Sequence, residues 1–134
     1  MAVQIRWGLV GLGRLAEECL AGAFAASHNG RLVACAGRTG DRSRAFAAMH
    51  GVECSHDSYE ELVRNPQVDA VYVATPNHLH HPVVLAAAAA GKHILCEKPM
   101  GLTAAEAEEM AEACRRAGVV LRVGLQSRFQ PVLQ

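Results

Sequence analysis

Gly11, Gly13 and Ala16 stand in the order G-x-G-x-x-A, within the run GLGRLA. Each residue type suits the approach of a diphosphate. Gly11 permits a tight turn, Gly13 lets backbone come close to a pyrophosphate, and Ala16 allows close packing of helix on strand. Alone the pattern is weak, but here it follows a predicted strand and opens a predicted helix, which is the context that gives it meaning. The N–H groups from Gly13 through Arg14 to Leu15 then point from a helix N-terminus at the phosphates.

The end of the second predicted strand should select the cofactor. An Asp or Glu there, about 20 residues past the glycines, would bind the ribose 2′-OH of NAD. This chain has Gly37-Arg38-Thr39 instead, with Asp41 the nearest carboxylate. Arg38 can pair with a 2′-phosphate and Arg42 can assist it, so the expectation is NADP in preference to NAD. Stacking of Arg38 on adenine, or its exposure to solvent, remains the competing reading.

Two further segments fall at the carboxyl ends of strands, where ligands of open α/β sheets lie. The first is Ala74-Thr75-Pro76-Asn77-His78-Leu79-His80-His81, with Pro82 marking the start of a helix to about Ala90. That boundary leaves the three histidines in the loop or at its exit, facing the crevice. No carboxylate or Cys at ligand spacing accompanies them, so contact with a nucleotide is favoured over a metal site. The second is Cys96-Glu97-Lys98-Pro99-Met100. Pro99 restricts Lys98 to extended backbone, which holds a cation at a strand end beside Glu97. A lysine there can hydrogen-bond a substrate hydroxyl or steer a nicotinamide ribose. A surface ion pair ahead of a capped helix is the alternative.

The elements that must position these groups alternate between short apolar runs and Ala-rich helical ones. Strands are predicted at Val3 to Val10, Arg31 to Ala36, Val52 to Cys54, Asp69 to Ala74, His93 to Cys96 and Val119 to Val123. Runs this apolar suit strands buried on both faces. Thr103 and Glu106, and Ser58 and Glu61, form candidate capping boxes. Ala107, Met110, Ala111 and Cys114 would face the sheet, with Arg115 and Arg116 in the last turn and Gly118 closing the helix. In the first helix the inward face reads Ala16, Cys19, Leu20 and Ala23, with Glu17 and Glu18 outside. The result is a doubly wound α/β sheet, default order 3-2-1-4-5-6.

The 134 residues suit one domain, and 51% hydrophobic against 19% charged excludes disorder. Thirteen basic and thirteen acidic residues give no net field to gather nucleic acid or an anionic membrane. The five cysteines show no Cys-x-x-Cys spacing and read as reduced, mostly buried thiols of a cytoplasmic protein. The start has no signal-peptide pattern, and Val83 to Ala90 is too short to span a bilayer. The Tyr-x-x-x-Lys pair of short-chain dehydrogenases and the P-loop motif G-x-x-x-x-G-K-[ST] are both missing from the sequence.

The runs GLVGLGRLA, AGRTGDRSRAFA, VATPNHLHHPVVLAAAAAGKHILCEKPM and VGLQSRFQP resemble the amino-terminal NAD(P)-binding domain of the glucose-fructose oxidoreductase/inositol dehydrogenase/MocA (Gfo/Idh/MocA) family. The resemblance covers essentially the whole chain, and the T-P-N-x-x-H…E-K-P block is its specific part. It implies hydride transfer between NAD(P) and a hydroxyl carbon of a sugar, polyol or related compound. It assigns Gly11, Gly13, Arg14 and Leu15 to the pyrophosphate turn and Arg38 to the adenosine ribose. It places Thr75, Pro76, Asn77 and His80 along the cofactor, with Glu97 and Arg128 counted among the cofactor-binding residues. Lys98 would lie by nicotinamide and substrate as a catalytic residue. Family members continue into a carboxyl-terminal α/β domain that supplies much of the substrate pocket. Residues 1–124 are therefore expected to form the Rossmann domain, and 125–134 to begin a linker to a substrate domain that this chain lacks. The chain alone would then bind cofactor without turnover, as half an enzyme or as a stand-alone NAD(P)-binding module. A homo-oligomer is an open expectation, since apolar surface would face the missing domain.

Overall fold

A computed structural model describes residues 3–133. Six strands form one wholly parallel sheet in the order β3-β2-β1-β4-β5-β6. They are β1 (Ile5–Val10), β2 (Gly30–Ala36), β3 (Cys54–His56), β4 (Ala70–Val73), β5 (His93–Glu97) and β6 (Leu121–Gly124). The helices are α1 (Ala21–Ala26), α2 (Gly40–His50), α3 (Tyr59–Val63), α4 (His80–Ala89) and α5 (Ala104–Ala117). This is the expected doubly wound architecture and order.

Alternation along the central strands sends neighbouring side chains to opposite cores. Val10, Val71 and Val73 pack with Leu62, Val83, Val84, Ala87 and Met110. Leu9, Cys35 and Tyr72 pack on the other face with Ala16, Leu20 and Phe46. Trp7 lies in strand packing as expected, its ring 5.9 Å from Phe24. Across the bottom of the sheet, Arg6 donates from its backbone amide and its guanidinium to the Asp69 carboxylate.

Several boundaries differ from the sequence expectation. β1 begins at Ile5 because pairing with β2 begins there, at Gly30, and Val3 is exposed. β3 lies beyond Val52, which instead anchors the turn after α2 through a bond from its amide to Ala47. β6 starts at Leu121, opposite Ile94. The first helix contains a π-helical stretch, Ala16–Leu20, that runs into α1. Its wider turn brings Ala16, Leu20 and half-buried Phe24 onto the inner face, and leaves Cys19 and Ala23 exposed. Three cysteines are buried, Cys54 is half-buried and Cys19 is exposed.

The helix starts are capped as expected at Ser58 and Thr103, whose hydroxyls accept from the amides of Glu61 and Glu106. The return arms reach one residue further back than a capping box requires. Glu61 accepts from Asp57 and Glu106 from Leu102, not from the caps themselves. Gly118 closes α5 in the left-handed region, at φ 68.

Candidate functional site

Because every strand is parallel, the segments after β1, β2, β4, β5 and β6 all emerge at one edge of the sheet. β1 stands between β2 and β4, so the chain reverses direction of winding there, which is where such sheets open a crevice.

Gly11 sits at that point with φ 96. A Cβ on it would lie 2.5 Å from the carbonyl carbon and oxygen of Ala74, so the residue must be glycine for both conformational and spatial reasons. Gly13 is the opposite case, since nothing lies within 4 Å of a Cβ built there. The first helical bond runs from the Glu17 amide to the Gly13 carbonyl. The amides of Gly13, Arg14, Leu15 and Ala16 therefore precede any acceptor within the helix. Arg14 turns its side chain along the helix to Glu18, at 2.7 Å.

After β2, Gly37 donates to Ser43 Oγ, and Thr39 caps α2 by accepting from the Arg42 amide. Arg38 projects between them, exposed. The expectation that Arg42 assists at a 2′-phosphate meets a different arrangement. Its guanidinium donates to the Leu12 carbonyl from Nε at 3.0 Å and Nη2 at 2.6 Å, and to Glu17 Oε1 at 3.1 Å. The other Glu17 oxygen lies 2.7 Å from His50 Nε2.

After β4, Pro76 and exposed Asn77 lead through a 3-10 turn, Asn77–Leu79, straight into α4. The helix starts at His80, two residues before the expected Pro82. The expectation of three crevice-facing histidines is therefore corrected at His80, whose side chain is wholly buried. Its Nδ1 is 2.7 Å from the Pro99 carbonyl and its Nε2 is 3.0 Å from the Thr75 carbonyl. His80 thus joins the loops after β4 and β5 from beneath. His78 is exposed, and His81 reaches Glu109 on α5 at 2.8 Å. Thr75 Oγ1 is the one buried side-chain polar atom among the described residues without a hydrogen-bond partner. Among these residues no three His, Cys, Asp or Glu groups cluster as metal ligands would.

After β5, Lys98 is exposed and its bond to Pro99 is cis. Glu97 is buried beside it. One Glu97 oxygen accepts from the Tyr72 hydroxyl and from the Gln126 side-chain amide, the latter at 2.9 Å. Gly124 leaves the space this carboxylate fills, since a Cβ there would stand 3.3 Å from the same oxygen. Burial, then the bond to Glu97, raises the Tyr72 phenol well above its ordinary value. Burial, with the Glu97 charge second, pushes the Cys96 thiol up to about 12. Sequence reasoning missed this cluster. Its one local signal is Tyr72, a polar group within an otherwise apolar strand that needs a partner when buried. Arg128 lies exposed in a 3-10 turn, Gln126–Phe129, close in sequence to Gln126.

These features fit a dinucleotide. Amides without an acceptor in the helix adjoin an uncovered glycine at a helix start, exposed Arg38 follows β2, and exposed Lys98 follows β5.

The model of an oxidoreductase family with an NAD-binding Rossmann fold matches residues 5–125. A 1,5-anhydro-D-fructose reductase of Ensifer adhaerens is 48% identical over 116 residues, which is 87% of this chain and 34% of that protein. A trans-1,2-dihydrobenzene-1,2-diol dehydrogenase of Mus musculus is 40% identical, over 98% of this chain and 40% of its own length. The crystal structure of a 3-ketoreductase from Actinomadura kijaniata, in complex with NADP and TDP-benzene, superposes with a TM-score of 0.90 at 32% identity. It covers 96% of this chain and 39% of that one. The chain thus spans well under half the length of these relatives. No helix among the described residues is long and apolar enough to cross a membrane. With the family model matched from β1 to the end of β6 and the sheet in the corresponding order, the chain belongs to the Gfo/Idh/MocA oxidoreductases and carries their NAD-binding Rossmann domain.

Proposed function

We propose that this chain binds NADP(H) in preference to NAD(H), as the cofactor-holding half of an enzyme acting on a sugar, polyol or related hydroxyl compound. The observation that carries the reading is the uncovered Gly13 at a helix start whose first amides have no acceptor within the helix. The amides from Gly13 to Leu15 receive the pyrophosphate, which the helix dipole also favours. Arg38 pairs with the 2′-phosphate, where no carboxylate competes for a ribose 2′-OH. Thr75, Pro76 and Asn77 line the cofactor's path between the glycine turn and Lys98, and His80 supports that path from below.

When bound, the nicotinamide supplies or accepts the hydride. Lys98 holds the reacting oxygen by its ammonium group, a donor in reach of a ligand at the strand edge. Glu97, fixed by Tyr72 and Gln126, sets the carboxylate beside that lysine. Residues 1–124 are the cofactor domain. Arg128 and the rest of 125–134 begin the passage to a substrate-binding domain such as longer relatives have room for. A sugar-type substrate is supported by the 1,5-anhydro-D-fructose reductase relative, and NADP by the ketoreductase complex. The five free cysteines support a reducing, cytoplasmic setting. Separate titrations with NADPH and NADH test the reading. A lower dissociation constant for NADPH is expected, and tighter binding of NADH refutes the preference.

A further inference from the structure

The segment that carries Lys98 is gripped on both sides. Past the lysine, the Pro99 carbonyl lies 2.7 Å from Nδ1 of buried His80. Before it, Glu97 ends β5 opposite Gly124 of β6, with its carboxylate buried. One oxygen of that carboxylate takes two donors, the Tyr72 hydroxyl from β4 and, at 2.9 Å, the Gln126 side-chain amide from beyond β6. Gly124 leaves room for the second bond, since a Cβ there would stand 3.3 Å from the Glu97 oxygen and 3.4 Å from Gln126 Nε2. Gln126 itself opens the 3-10 turn Gln126–Phe129, within which the Arg128 amide donates to the Leu125 carbonyl at 3.2 Å. Exposed Lys98 stands between the two grips, its backbone further restricted by the proline that follows.

We propose that Gln126 is a positioning residue for Lys98, acting through Glu97, and that it does not itself touch the cofactor. A carboxylate that accepts two charge-assisted bonds on one oxygen has little freedom to rotate, so the peptide leading into Lys98 leaves the strand in a fixed direction. Without the Gln126 donor, Tyr72 is a single tether about which the carboxylate turns. The first turn of the chain after β6 is thereby tied to the lysine. This inference rests on the dinucleotide reading and goes beyond it: Gln126 matters to ligands that carry a nicotinamide riboside and is silent for those that lack one.

Two ligands and two substitutions test it. NADPH carries the nicotinamide riboside, whereas adenosine 2′,5′-bisphosphate lacks it and keeps the 2′-phosphate. Both are titrated into the full chain, Gln126→Met, Lys98→Met and the double variant. Methionine matches glutamine in length and removes the donor. Gln126→Met is expected to lose about tenfold in NADPH affinity and nothing in affinity for the bisphosphate, which also shows that the variant is folded. In the Lys98→Met background the same substitution should cost NADPH nothing more, because residues that act as one unit do not contribute additively. Losses that add in the double variant overturn the proposal, since Gln126 then acts by a route other than Lys98. An equal loss for both ligands, or an unchanged NADPH affinity in Gln126→Met, also overturns it. A parent that binds the bisphosphate as tightly as NADPH overturns this inference alone, and a parent that binds neither defeats the dinucleotide reading as well.

Discussion

The Tyr72 hydroxyl donates to the carboxylate of Glu97 across the neighbouring strands β4 and β5. The two residues are 25 positions apart, and the bond is buried at the edge of the sheet where Lys98 emerges. Tyr72→Phe keeps the ring that packs near Trp7 and Phe24 and removes the donor. A hydrogen bond to a buried charged group is worth about 2 kcal/mol, so urea unfolding of Tyr72→Phe should show a loss of about that size. Equal stability of parent and variant would mean that Gln126 alone suffices to satisfy Glu97.

His80 makes a second, larger expectation. Its buried ring spans the carbonyls of Thr75 and Pro99, which belong to different loops. Removing it leaves a cavity and two polar groups short of a partner. His80→Ala should cost about 3 kcal/mol and weaken NADPH binding, since both loops then lose their common support. A variant as stable as the parent would contradict the packing described.

Asp69 contributes to stability at the acid end of the pH range. The Arg6 side chain, through its hydrogen bonds, brings the Asp69 carboxyl down from 3.8 to about 2. A carboxyl depressed in the folded state contributes stability above its unfolded value, and that contribution disappears as pH falls through its folded value. The urea midpoint of Asp69→Asn should therefore lie below the parent's at pH 7. The gap should close as pH falls from 3.8 to about 2. A gap independent of pH would show that the ion pair is not its source.

Arg38 is exposed. Arg38→Gln should weaken NADPH by about tenfold or more, as expected when a charge-assisted phosphate contact is lost. NADH affinity and thermal stability should stay unchanged. If both cofactors weaken equally, Arg38 stacks on the adenine or acts on the turn.

The sheet order and the glycine turn were legible because their signals are local. Apolar strand runs, caps such as Thr103 and Ser58, and the spacing of Gly11 and Gly13 each depend on a few neighbouring residues. What escaped was set by partners distant in sequence. His80 reads as a loop residue until Pro99, 19 positions away, is placed against its ring. Glu97 reads as an ion-pair partner for Lys98 until Tyr72 and Gln126 close on it. Arg42 has the charge of a phosphate ligand, and only the fold brings Leu12 within its reach. The inner face of the first helix was misjudged for a different reason. A π-helical turn changes the angular step, so a pattern at 3.6 residues assigns Cys19 and Ala23 to the wrong side.

Gly11 and Gly13 stand in opposite surroundings, one crowded and one open. Gly11 is hemmed in by Ala74 and has a left-handed φ of 96, so Gly11→Ala should unfold at markedly lower urea. Gly13 faces open space, so Gly13→Val should keep the parent's thermal unfolding while its side chain fills the ground a diphosphate needs. Calorimetric titration of NADPH into the parent and into Gly13→Val tests the central claim most directly. The parent should release or absorb heat to saturation, and the equally stable variant should give none. No heat from the folded parent, or identical binding by both proteins, would contradict it.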